Sequence, residues 1–339
     1  MVALEAIRAS NERIATTLPA GLVAVFIGAT NGVGETTVRQ FAKYAQSPRV
    51  YIIGRSQEAG TRITKECKEL NPRGEFTFIS KDTSLMRNVD ELCGDLKRRE
   101  KTINLLFLTI GTLQRGIKTA EGMHYPAALT VHARNRFMTN LLPLVSNAPS
   151  LRRVVSVFIG GLEGPKIDMD DFQGWHMKLM ANRGHAASIT TLTLEGHHKT
   201  YPQVSFVHNF PGVVRSGIAR GTGLIFAAFS AFGRLFGRLI FMDTQEAGDR
   251  HLFLATSARY SASRDDTAAG VPLGDHVDLA RGTDGVPGSG VYSIDANGES
   301  ASQAVEKVLA GLRTDGMVEK VMNALEEDIQ SALAIHINT

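Results

Sequence analysis

Residues 22–34 read LVAVFIGATNGVG. The first seven, LVAVFIG, form a short apolar run rich in β-branched side chains, and a glycine-rich turn leads directly into a helical pattern over residues 35–46. That order predicts a strand, a tight turn and a helix. Gly28, Gly32 and Gly34 let the backbone turn sharply and approach a pyrophosphate, while the helix N-terminus behind them offers unpaired N–H groups carrying partial positive charge. With Thr30, Asn31 and Val33 between them, the turn is built to cradle an anion. A triphosphate-binding P-loop needs a lysine after the last glycine, but Glu35 stands there and would repel a terminal phosphate. A nucleoside triphosphatase of that type is excluded.

Outward from this turn the alternation repeats. Buried strands are expected over residues 49–54 (RVYIIG), 76–79, 103–110 (INLLFLTI), 153–159 (RVVSVFI), 204–209 and 291–294 (VYSI). Helical patterns fill residues 59–70, 85–101, 129–146, 182–199 and 244–257, and the last forty residues are helical and amphipathic. A Gly/Asp/Pro-rich stretch over 265–288 reads as loop. Strands that are apolar on both faces and separated by helices imply a doubly wound parallel sheet covered on both sides.

The chain has 339 residues, 43% hydrophobic, 21% charged and 7% aromatic, the composition of an ordinary globular protein with ample material for a core. Lys plus Arg (37) against Asp plus Glu (34) leaves a formal charge of +3, spread along the chain, which predicts no nucleic-acid partner. Cys67 and Cys93 lack the paired spacing of a zinc or redox motif, so a reducing, cytoplasmic setting is expected, without a disulfide. The first twenty-one residues lack the continuous apolar core of a secretory signal. Residues 224–242 (LIFAAFSAFGRLFGRLIFM) are the most apolar stretch, but Arg234 and Arg238 interrupt them, leaving about half of the roughly 20 residues that a span needs.

The glycine spacing of GATNGVG resembles that of the short-chain dehydrogenase/reductase family, and further marks stand in order over residues 20–300. Asp82, followed by Thr83, comes after the third strand, where the family holds the adenine. Thr109-Ile110-Gly111 ends the fourth strand, where the family carries an Asn-Asn-Ala-Gly type signature, and only Gly111 is kept. Pro211-Gly212-Val213-Val214-Arg215-Ser216 resembles the family's turn against the nicotinamide, with Ser216 in the usual Thr place. LRRVVSVFIGGLEG, VSFVHNFPGVV and HLFLATSARY resemble divergent fungal members of secondary metabolism. The resemblance implies a single Rossmann-type α/β domain over residues 1–339. Its parts are an N-terminal helix (1–20), a dinucleotide-binding core (21–216), an apolar substrate lid (217–243), and a last strand with C-terminal helices (244–339).

Coenzyme choice is read at the end of the second strand, where an acid binds a ribose 2′-hydroxyl and a base a 2′-phosphate. Gly54-Arg55-Ser56 offers a guanidinium and a hydroxyl and no acid, so NADP(H) is favoured over NAD(H). The family's Ser/Tyr/Lys proton relay is missing. Alignment places Phe158 at the Ser, with Ser156 one pleat earlier, Ala181 at the Tyr and His185 at the Lys. Reduction with a proton from another group or water, non-redox isomerisation, epimerisation or cyclisation, and cofactor sensing without chemistry all stay open.

His185, Ser156, Tyr125 and Lys178 are the candidates for proton transfer. Against that, His185 is equally a helix cap, Ser156 a small core residue, Tyr125 the head of a helix and Lys178 a loop anchor. Asp168, Asp170 and Asp171 read as a solvated turn or cap, and no metal site is expected. Phe226, Phe229, Phe232, Phe236 and Ile240 recur at helical spacing and, with Phe158, suggest a lid over a bulky hydrophobic small-molecule substrate. Ordinary core packing, homodimer packing and a membrane-surface contact are the other uses of that stripe.

Overall fold

The computed structural model describes residues 2–212 and 243–335. Among these, seven strands form one parallel sheet in the order β3-β2-β1-β4-β5-β6-β7. β1 (Val23–Ile27) pairs with β2 (Arg49–Gly54), Val23 opposite Arg49, and with β4 (Leu105–Leu108), Ala24 opposite Leu105. β3 (Glu75–Ser80) lies beyond β2, while β5 (Arg153–Val157), β6 (Ser205–Asn209) and β7 (Val291–Ile294) continue the sheet beyond β4. Strand order reverses between β1 and β4, so a crevice opens there at the C-terminal ends of the strands.

The pleat divides the core into two layers. Ala24 and Phe26 of β1 pack with Ile52, Phe107 and Val155 under α1 (Leu4–Glu12), α2 (Gly32–Tyr44), α3 (Gln57–Leu70) and a later helix of the chain. Val23, Val25 and Ile27 pack with Leu106, Leu108 and Val154 under α4 (Met86–Arg99) and α5 (Ala133–Ser146). A third cluster, including Ile189, Leu309 and Leu325, joins α6 (Leu179–Thr200) to α8 (Gln303–Thr314) and α9 (Met317–Ala334). Between α5 and α8 in the chain lies α7 (Thr244–Thr256), the further helix of the first layer, tied to α1 where Asn11 Nδ2 donates to Asp249 O at 2.9 Å.

Two sequence expectations are corrected. The helix expected over 129–146 is a short turn at Tyr125–Ala127, a π-helical turn at Ala128–His132 and then α5. Such a turn changes which side chains face inward and often marks a functional site. The strand expected over 103–110 pairs only over Leu105–Leu108, because beyond Leu108 and Ser156 the ends of β4 and β5 separate. No helix among the described residues is long and apolar enough to cross a membrane. The apolar stretch 224–242 and most of the expected lid lie outside the described residues.

Candidate active site

The glycines of the first turn are explained by what presses against them. Gly28 has φ +91°, and a Cβ there would stand 2.8 Å from Ile110 N. A Cβ on Gly34 would stand 2.6 Å from Thr109 Oγ1, a hydroxyl that donates to Ile27 O at 3.1 Å. The end of β4 therefore packs directly on the turn. Gly32, with φ +58°, opens α2, and no side chain caps that helix at Asn31. Its first N–H groups lack side-chain partners, which leaves them for an anion. Glu35 is turned aside to Arg39 (2.7 Å) and Arg62 (2.9 Å).

An open cleft of about 260 Å³ runs across the strand ends. Its β2/β3 end is lined by Ile53, Gly54, Arg55, Lys81 and Thr83, and its middle by Gly28, Thr30, Asn31, Val33 and Gly34. Thr109, Ile110, Gly111, Thr112 and Gln114 follow, and Leu129, Arg134, Val157, Phe158 and Pro211 line the far end. The charged side chains in this lining are Arg55, Lys81 and Arg134, all cations; among the described residues it contains no carboxylate. Ten residues singled out from sequence thus share one cleft: Gly28, Thr30, Asn31, Val33, Gly34, Arg55, Thr83, Gly111, Phe158 and Pro211. Gly32, Ser56, Asp82 and Gly212 stand beside it. The Ser56 hydroxyl caps α3 by accepting from Ala59 N at 3.2 Å, and Asp82 accepts from Ser84 N at 3.0 Å. Gly212 has φ +72°. Val214, Ser216, Phe226 and Phe229 lie outside the described residues.

The four proton-transfer candidates do not converge. His185 is buried, with Nδ1 accepting from Asp168 N at 3.2 Å and Nε2 against Phe172 O at 2.9 Å. Burial holds its pKa below the usual histidine value. Both ring nitrogens serve the backbone, which removes the geometric support for a relay. Ser156 is wholly buried, its Oγ accepting from Arg134 Nη1 at 2.6 Å. Lys178 is exposed at the N-cap of α6 and does not line the cleft. Tyr125 is at the other end by strand order, its hydroxyl accepting from Arg55 Nη1 at 2.5 Å. Asp168 and Asp171 accept backbone N–H groups of Asp170, Trp175 and His176, as turn-capping acids do.

Sequence reading missed Arg134, which bridges the gap where β4 and β5 part. Its guanidinium is buried, lies over the Phe158 ring at 5.3 Å, and is pushed down to about 9 by burial. The signal was present: Arg134 heads the apolar stripe Phe137, Met138, Leu141, Leu142 and Val145. Also missed was the buried network behind Phe158. His208 stacks on that ring at 6.2 Å, its Nδ1 lies 2.8 Å from Thr191 Oγ1, and Thr191 donates to Glu163 Oε1 at 2.7 Å. Burial opposes the Glu163 charge, yet contacts from His208, Ser293 and Thr191 hold its pKa below the usual carboxylate value. This network fixes the loop after β5 to β6 and β7.

The sequence pattern of the short chain dehydrogenase family matches residues 22–142, the segment that carries the turn and the first four strands. The chain is 37% identical over 340 residues to oxidoreductase AN1596 of Emericella nidulans, covering 98% of this chain and 99% of that one. It is 26% identical to short-chain dehydrogenase/reductase SAT2 of Stachybotrys chartarum, covering 90% and 91%. A short-chain dehydrogenase from Sphingobium yanoikuyae, solved in complex with NADPH, shares the fold at a TM-score of 0.50 and 16% identity, covering 68% of this chain and 82% of that one. Turn, strand order and relatives agree: the chain belongs to the short-chain dehydrogenase/reductase family of oxidoreductases and resembles its fungal members.

Proposed function

We propose that the protein is an NADPH-dependent oxidoreductase acting on a hydrophobic carbonyl, enone or imine of a secondary metabolite. The observation that carries this reading is a cleft lined by Arg55, Lys81 and Arg134 and, among the described residues, by no acid. A phosphorylated dinucleotide is a long polyanion, and this donor set suits it. The amides opening α2 would hold the diphosphate. Arg55, with Lys81 beside it, would meet a 2′-phosphate, since no acid follows β2 to favour a free ribose hydroxyl. Phe158 and Pro211 would flank the nicotinamide end.

When bound, NADPH supplies the hydride. The described lining has threonine hydroxyls but no carboxylate, imidazole or phenol, and this reading assigns the proton to water in the open cleft. That lack of a titrating acid also favours a second reading, non-redox isomerisation or cyclisation beside a bound coenzyme. Both cysteines are buried, burial drives the Cys67 thiol up to about 12, and this reading places the protein in the cytoplasm. Incubation with NADPH and a panel of bulky aromatic ketones and enones tests the proposal. Substrate loss matched by loss of reduced-nicotinamide absorbance supports a reductase; product without coenzyme turnover supports the second reading.

A further inference from the structure

We propose that Arg134 makes the cleft discriminate between coenzyme oxidation states, holding the reduced form more tightly than the oxidised. The inference rests on the reading that the cleft holds a nicotinamide dinucleotide. It starts from how the arginine is satisfied. Nη1 donates to Leu108 O (3.2 Å) and Ser156 Oγ (2.6 Å), and Nη2 donates to Ile110 O (2.6 Å) and Val157 O (2.9 Å). Nε has no partner, and no carboxylate among the described residues pairs with the guanidinium. These partners are neutral oxygens. They replace water around the cation and keep it in place, but a shell of dipoles does not supply the opposite unit charge that would cancel its field.

The field falls on one end of the cleft. Arg55 and Lys81, the cations suited to a 2′-phosphate, lie at the β2/β3 end, while Arg134, Val157 and Phe158 lie at the β5 end, across β1 and β4 in the sheet. A dinucleotide laid with its phosphate on Arg55 puts its other ring beside Phe158, under which Arg134 is stacked. The two coenzyme forms carry the same phosphates and differ by one positive charge on that ring. A fixed cation at this depth penalises the charged ring and leaves the neutral one untouched. His208, stacked on Phe158, is kept neutral by burial, and the Glu163 carboxylate beyond it is taken up by hydrogen bonds from Thr191 and Ser293.

Equilibrium titration of the full-length protein with NADPH and with NADP⁺ reads the ratio of the two dissociation constants. The expected ratio favours NADPH by about tenfold or more. Ser156→Asp leaves Arg134 in place and sets a carboxylate beside Nη1; Arg134→Gln removes the charge and keeps an amide donor. Each should bring the ratio toward about one, whereas Arg134→Lys, which keeps the charge, should retain the preference. Because the charge is buried, added salt should weaken both affinities without erasing their ratio. A wild-type ratio near unity, a ratio unchanged in Ser156→Asp, or a preference abolished by salt overturns the inference. Where Arg134→Gln fails to fold, Ser156→Asp and the salt series still decide. Failure to bind either form defeats the coenzyme reading itself, and is distinguished from binding of both with equal affinity.

Discussion

The two ends of β5 each bury an arginine, and only one of them faces a cleft. Arg153, at the entry of the strand, donates to Leu254 O (2.7 Å), Ser257 O (3.1 Å) and Ala269 O (2.8 Å), closing the last turn of α7 onto the sheet. Arg134, at the exit, ties together the parted ends of β4 and β5. Burial pushes Arg153 down to about 10 and Arg134 to about 9, so both stay cationic near neutral pH. Their surroundings differ. Asp266 favours the Arg153 charge, which lies 5.9 Å from the Tyr260 ring, whereas no acid offsets burial for Arg134. The same side chain therefore serves as a staple at one end and as a poised charge at the other. What decides the role is the presence or absence of a nearby negative group.

The comparison can be broken most forcibly at Arg153. Arg153→Met strands three buried carbonyls and should cost about 3–5 kcal/mol in urea unfolding, while the folded fraction keeps the wild-type NADPH/NADP⁺ ratio. A loss below about 1 kcal/mol, or a shifted ratio, would show that the two arginines are not separate devices. Gly34→Ala acts at the cleft by pushing a Cβ into Thr109 Oγ1, with an expected cost of about 1–3 kcal/mol and weaker coenzyme binding. Adding Thr109→Ala should recover part of that stability, and strict additivity of the two changes would refute the contact.

Acid probes the structural side without touching the cleft. Burial lowers the pKa of His197 and His251 to about 4, so both are neutral in the fold. The unfolded chain takes up their protons near the ordinary histidine value of about 6.5, and so binds more protons than the fold between the two values. Stability is full above that window and falls as pH drops through it, by about 1.4 kcal/mol per pH unit for each histidine. Urea midpoints measured across the window should show the slope, and His251→Gln should remove one proton's share; a flat profile contradicts it. The smallest effect lies at the β2 end. Arg55→Asp should weaken NADPH about tenfold more than NADH, and equal losses would return Arg55 to an ordinary surface role.

What the sequence disclosed follows from the range of the interactions involved. The turn at Gly28–Gly34 and the strand alternation are local patterns, and the structure places them as read, down to the crevice beside β1. The proton relay was not legible, because the roles of His185 and Ser156 are set by partners far along the chain or on another element, Phe172 O and Arg134. Arg134 was legible in principle as a charge on an apolar stripe, but the parting of β4 from β5 that it fills exists only in three dimensions.

The most direct measurement is a calorimetric titration of the purified protein with NADPH and NADH, repeated on Gly34→Ala. The account predicts saturable one-site binding, tighter for NADPH by about tenfold and weakened in the variant. Absence of binding by both coenzymes, or binding that the variant leaves unchanged, would contradict the assignment of the cleft to a dinucleotide.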